Sequence, residues 1–234
     1  LLGDLRKLAQ SGAITEALER LETLPEVPSD LDGLLLQARL LQELGRHSEA
    51  SLSLKQVLTQ WPMHGEALNL MGLGSLREGQ SKAARVFFDL AIGLPETQPS
   101  TRRNLCYLDA LEALERGDAD ASEPILKGLE GEDALMDSVT RAEVAVLRLG
   151  ALLMQNRLGQ ARILSDQAVQ HGWEHPDLHY LRGELMLQFG SVEEAVGCFQ
   201  GTGATLYAVD SRRVKSAWRQ DLSDGAAMQI RADQ

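Results

Sequence analysis

Five side chains able to bind a metal or move a proton stand close together: His171, Glu174, His175, Asp177 and His179. Imidazoles and carboxylates at this density can ligate zinc or a related ion. The local sequence argues for structural roles instead. Pro176 suits the first turn of a new helix. That places His179 on the inward side of this helix as a packed histidine. His171 falls at the end of the preceding helix, where a cation matches the dipole. The two cysteines, Cys106 and Cys198, are far apart and lie in helical patterns. They read as buried thiols, with no basic group placed to activate them. No phosphate loop, nucleophile elbow or H-E-x-x-H pair occurs, and Gly72-Leu73-Gly74 and Gly201-Thr202-Gly203 are isolated G-x-G fragments. The chain therefore reads as a non-enzyme without a cofactor or bound metal.

The elements that carry these residues announce themselves by repetition. A Gly or Asn is followed five residues later by Ala or Ser at Gly12/Ala17, Gly45/Ala50, Gly79/Ala84, Gly117/Ser122, Asn156/Ala161 and Gly190/Ala195. Successive turns are 33, 34, 38, 39 and 34 residues apart. A period near 34 residues marks stacked helical hairpins. From Leu31 to Pro62, Leu34, Ala38 and Leu41 share one helix face, Gly45 ends that helix, and Ala50, Leu54, Val57 and Leu58 form the next stripe. Ser48 and Ser81 are the expected caps of the helices after Gly45 and Gly79. A small residue recurs seven before the turn (Ala38, Gly72, Ala110, Gly183) and a large one nine after it (Leu21, Leu54, Phe88, Leu126, Phe199). Small residues in such register bring helices close together. The fifth unit has Ser165 at the large position, beside Leu164. The four or five extra residues of the two long gaps are expected in the connections Gly93–Arg102 and Gly128–Ser138, as solvated loops. A sharper alternative is a bend between a block of three units and a block of two.

Composition agrees with helices. Of 234 residues, 44% are hydrophobic, only 4% aromatic, and Leu and Ala dominate the aliphatics. A net charge of −11 argues against nucleic-acid binding and against anionic membranes. There is no run of eighteen apolar residues, so direct membrane insertion of this segment is not expected. The chain begins Leu1-Leu2-Gly3-Asp4 without Met, which fits a trimmed leader or anchor. The compartment, cytoplasmic or periplasmic, stays open.

Over roughly residues 1–202 this pattern resembles the tetratricopeptide repeat family, most strongly in Leu31–Pro62, Gly65–Glu96 and Pro176–Thr202. The family's usual Trp in the first helix is replaced by Leu34, Leu68, Cys106, Ala145 and His179. The resemblance implies an all-α right-handed superhelix of about six hairpins, with residues 203–234 as a capping helix (Ala208–Leu222, Trp218 inward) and a frayed tail. It also implies that first helices line a concave groove. By position, that groove takes Leu35, Arg39, Asn69, Leu73, Arg77, Tyr107, Leu111, Val146, Tyr180, Glu184 and Leu187. Leu35 and Leu70 replace the polar positions with which some members clamp a terminal carboxylate. The implied function is a scaffold for a partner protein, peptide or helix, and similarity to bacterial members points to assembly of a secretion, pilus or envelope complex. Two alternatives remain: a regulatory module of a larger enzyme or signalling protein, and a scaffold that self-associates through its end repeats.

Overall fold

The computed structural model describes residues 2–24, 30–95, 97–129 and 140–201, with the side chains of 200 and 201 left aside. The expected capping helix, Trp218 and the tail lie outside the described residues, as does most of the second long connection. Among the described residues there are twelve α-helices and no strand. They divide into two compact units, 2–105 and 106–201, with the division inside α7.

The first unit holds α1 (Leu2–Gln10), α2 (Ile14–Glu22), α3 (Leu31–Glu43), α4 (His47–Gln60), α5 (Gly65–Arg77), α6 (Ser81–Ile92) and the start of α7 (Pro99–Glu115). The second holds the rest of α7, then α8 (Ala119–Leu129), α9 (Arg141–Met154), α10 (Leu158–Gln170), α11 (Pro176–Gln188) and α12 (Val192–Gly201). From α1 to α6, and again from α8 to α12, each helix packs on its chain neighbours, and first helices also stack on one another: α1 on α3, α3 on α5, α9 on α11. This is the contact pattern of a helical-repeat solenoid.

All six repeat turns put their Gly or Asn in the left-handed region, from Asn156 at φ 55° to Gly12 at φ 88°. Each closes the same pair of bonds. Gly45 N–H donates to Gln42 O (3.0 Å) and Arg46 N–H to Leu41 O (2.8 Å). Asn156 N–H likewise donates to Leu153 O (3.0 Å) and Arg157 N–H to Leu152 O (2.9 Å). These are Schellman closures, which satisfy the last carbonyls of the first helix. Among residues other than Gly, Asn and Asp enter this conformation most readily. Asn156→Ala is expected to cost about 1 kcal/mol, seen as a lower urea midpoint, whereas Asn156→Gly leaves the midpoint in place.

The caps are corrected by this geometry. The residue that closes the first helix is also the one that opens the second. Ala13, Arg46, Gln80 and Arg157 stand there with ψ between 56° and 61° and make no side-chain cap bond. Ser48 and Ser81 are therefore not caps; both lie inside their helices. Among the described turn residues only Asp118, which opens α8, adds a side-chain cap, accepting from Ala121 N–H at 3.0 Å; the other side-chain caps stand where a first helix begins after a connection. Asp30 accepts from Gly33 N–H, His64 from Ala67 N–H and His175 from Asp177 N–H, while Thr140 and Glu143 form a reciprocal capping box.

The first long gap is also corrected. It lies largely in a helix, not a loop: α7 runs 17 residues where α3, α5 and α11 run 13. Its added turn includes Ser100 and Thr101, both buried.

The small and large positions meet as the sequence implies. A Cβ added at Gly72 would lie 2.4 Å from the Phe88 ring, and one at Gly183 would lie 2.4 Å from the Phe199 ring. Ala38 and Leu54, and Ala110 and Leu126, are all fully buried at the same register. In the α9–α10 hairpin the sizes are exchanged: Leu149 holds the small position and Ser165 the large one, and both are buried with Leu164. The Ser165 hydroxyl has no hydrogen-bond partner. A buried unpaired hydroxyl is costly and Ser is a weaker helix former than Ala, so Ser165→Ala is expected to gain about 1 kcal/mol. A thermal melt checks it, and a lower melting temperature would contradict it.

Candidate interaction face on the first helices

In the first unit, α1, α3 and α5 border a cleft of about 250 Å³. Its floor is apolar: Ala9, Leu35, Leu36 and Leu40, all buried. Its rim carries Arg6, Arg39 and Glu66. Arg39 holds Glu66 Oε1 with Nε at 3.0 Å and Nη2 at 2.8 Å. Arg6 reaches Asp32 at 3.3 Å. The two pairs repeat one arrangement. Arg6 and Arg39 each stand six residues before their turn, and Asp32 and Glu66 each stand thirteen before theirs. Each Arg reaches the first turn of the next first helix, where a carboxylate also suits the dipole. Such partly exposed pairs add little stability; their main effect is to hold the guanidinium groups in place at the rim.

The expected groove residues divide by location. Leu35 and Arg39 meet at this cleft. On α5, Asn69 and Leu73 are completely buried. Asn69 Nδ2 donates to Ser100 Oγ (3.4 Å) and Asn104 Nδ2 donates to Asn69 Oδ1 (3.1 Å), a buried polar cluster that fastens the added turn of α7. Arg77, at the end of α5, is half-buried. In the second unit, Leu111 and Val146 are buried and Tyr107 is half-buried. Val146 belongs to one apolar cluster with Tyr180 and Leu187 packed against it. The Tyr180 ring lies 5.7 Å from that of Phe199. Glu184 is 6% exposed; burial pushes its carboxyl above the usual carboxylate range, and the Tyr180 hydroxyl bonded to it works the other way.

Arg6 and Glu66 were missed by the sequence reading of the groove. The register that selects Arg39 selects Arg6 one unit earlier, so that signal was present. Glu66 shares its register with Asp32, but that register shows as a pairing only once the two first helices stack.

The histidine segment separates into individual roles. His175 caps α11. His179 Nε2 lies 2.9 Å from Glu174 Oε2, so its packing is polar. His171 follows α10 and stacks on Trp173 at 5.3 Å. Among the described residues no three His, Cys, Asp or Glu side chains converge to hold a metal ion. Cys106 and Cys198 are half-buried, and burial pushes the Cys198 thiol up, away from reactivity. No helix among the described residues is long and apolar enough to cross a membrane.

No family model and no curated protein matches the sequence. Among solved structures, the chain is similar to a tetratricopeptide repeat protein from Parabacteroides merdae ATCC 43184, with a TM-score of 0.59, 20% identity, and coverage of 91% of this chain and 81% of that one. The chain has the tetratricopeptide repeat fold. A more distant likeness, TM-score 0.41 and 17% identity, is to the structure of Naa15/Naa10 bound to HypK-THB; it covers 99% of this chain and 35% of that one. In tetratricopeptide terms, the cleft lies among the first helices of the repeats whose turns are at Gly12, Gly45 and Gly79.

Proposed function

We propose that the chain is a non-catalytic scaffold that holds a segment of a partner protein against its first helices. The observation that supports this most is the cleft on α1, α3 and α5. It combines an apolar floor with charged groups already held in place, which is what orients and anchors a bound chain. In the second unit the corresponding surface is centred on Tyr107 and Tyr180, side chains that offer contact area with little entropy loss and a polar tip. The remaining groove positions (Leu73, Leu111, Val146, Leu187) support these surfaces from below. Of assembly roles, work on a secretion, pilus or envelope complex is the reading to test first.

Capture from the native host and mass spectrometry identify the partner; binding is then measured with the purified pair. Tyr107→Ala with Tyr180→Ala is expected to weaken that binding about tenfold without loss of helicity by circular dichroism. Unchanged affinity with intact helicity would remove this face from the function.

A further inference from the structure

We propose that the cleft between α1, α3 and α5 seats one aromatic side chain, an indole or a phenol, presented by the partner segment. This rests on the reading of the first-helix side as a partner-binding surface. The size fits: the cleft measures about 250 Å³, whereas an apolar cavity of about 150 Å³ already admits benzene. The floor fits, since the surface that Leu35 and Leu36 leave open is apolar and Leu40 backs them from beneath.

The rim decides between anchors. Arg6 and Arg39 present guanidinium groups, which stack on aromatic faces. Asp32 and Glu66 hold them before any ligand arrives, so little ordering remains to be done on binding. An aliphatic anchor would use the floor and gain nothing from the cations. A carboxylate or phosphate would meet Glu66 as well as the arginines. An indole N–H or phenol O–H can donate to the Glu66 carboxylate while its ring lies on the leucines. Among the described residues no aromatic side chain lines the cleft.

Two measurements test this on the intact chain. The first titrates 5-fluoroindole and, separately, cyclohexanemethanol, following the Leu35, Leu36 and Leu40 methyl signals by NMR. The expected result is saturable shifts at these methyls, with the aliphatic alcohol at least fivefold weaker. Arg39→Met with Glu66→Gln, which keeps the charge balance, should weaken fluoroindole two- to fivefold. Equal affinity for the two probes, shifts confined to other residues, or no saturation overturns the proposal. The second selects binders from a random peptide library. Binders that carry an aromatic residue and are displaced by fluoroindole support it. Binders that map to the first helices but are not displaced overturn the aromatic anchor and leave the scaffold reading standing. A library without binders counts against both.

Discussion

Gly72→Ala is expected to destabilise the protein by about 1–2 kcal/mol, although Ala is the better helix former. Two effects compete. Replacing a mid-helix Gly gains about 1 kcal/mol of propensity. Against this, the new methyl would sit 2.4 Å from the Phe88 ring, and that ring is fully buried and cannot swing aside. Overpacking of this kind costs about 1–3 kcal/mol, so the clash wins. The test is a double-mutant cycle in urea. Phe88→Leu alone leaves a cavity and destabilises. In the Gly72→Ala background the same change should restore stability, because Ala opposite Leu is what the neighbouring hairpin uses at Ala38 and Leu54. A coupling energy of about 1–3 kcal/mol is expected. Strict additivity would mean that Gly72 and Phe88 do not share a contact.

Asn69→Leu is expected to cost about 2–4 kcal/mol. Asn69 is completely buried, as is Asn104, and Ser100 is 2% exposed. The substitution removes the bonds from Asn69 to Ser100 and from Asn104 to Asn69. Each buried polar group that loses a partner costs about 1–3 kcal/mol, more than one added leucine returns. Asn104→Leu in the same background should recover part of the loss, because two facing apolar groups replace an amide set against a leucine. Chemical denaturation of the two single variants and the double variant decides the matter. A double variant as unstable as the sum of the singles would show that the amides act independently.

These two sites show what the repeat pattern makes readable. The Gly72–Phe88 pairing is visible before any coordinates, because a small residue seven before the turn and a large one nine after it recur together. The Asn69–Asn104 pair is not. At the register of Asn69 the neighbouring repeats carry Leu35 and Tyr107, so position alone placed it among groove residues. Its polar partners stand on α7, at Asn104 and at Ser100, the latter in the added turn, whose sequence reads as a loop. Pro99 and the polar run after it resemble a connection, and only burial of Ser100 and Thr101 against the repeat array makes that stretch helical. The serine caps failed for a related reason. Ser48 and Ser81 have the right side chain near the right place, but the residues that open these helices are Arg46 and Gln80, one or two positions earlier, and neither makes a side-chain cap bond.

The candidate site is legible in the same uneven way. Leu35 and Arg39 follow from register, and Arg6 would have followed from it too. Glu66 shares a register with Asp32, but its pairing is set by the stacking of α3 and α5, since its partner stands 27 residues earlier on another helix.

From the amino acids alone came the helical hairpins, their period, the conformation of each turn and the matching of small with large side chains. All of these arise from contacts within one repeat or between adjacent ones, where a fixed spacing means a fixed neighbour. Tertiary structure decided which polar residues were sealed inside, which charges were paired, and where a cleft opened. Those outcomes depend on how far each helix extends and on what faces it from the next repeat, and no periodicity records either.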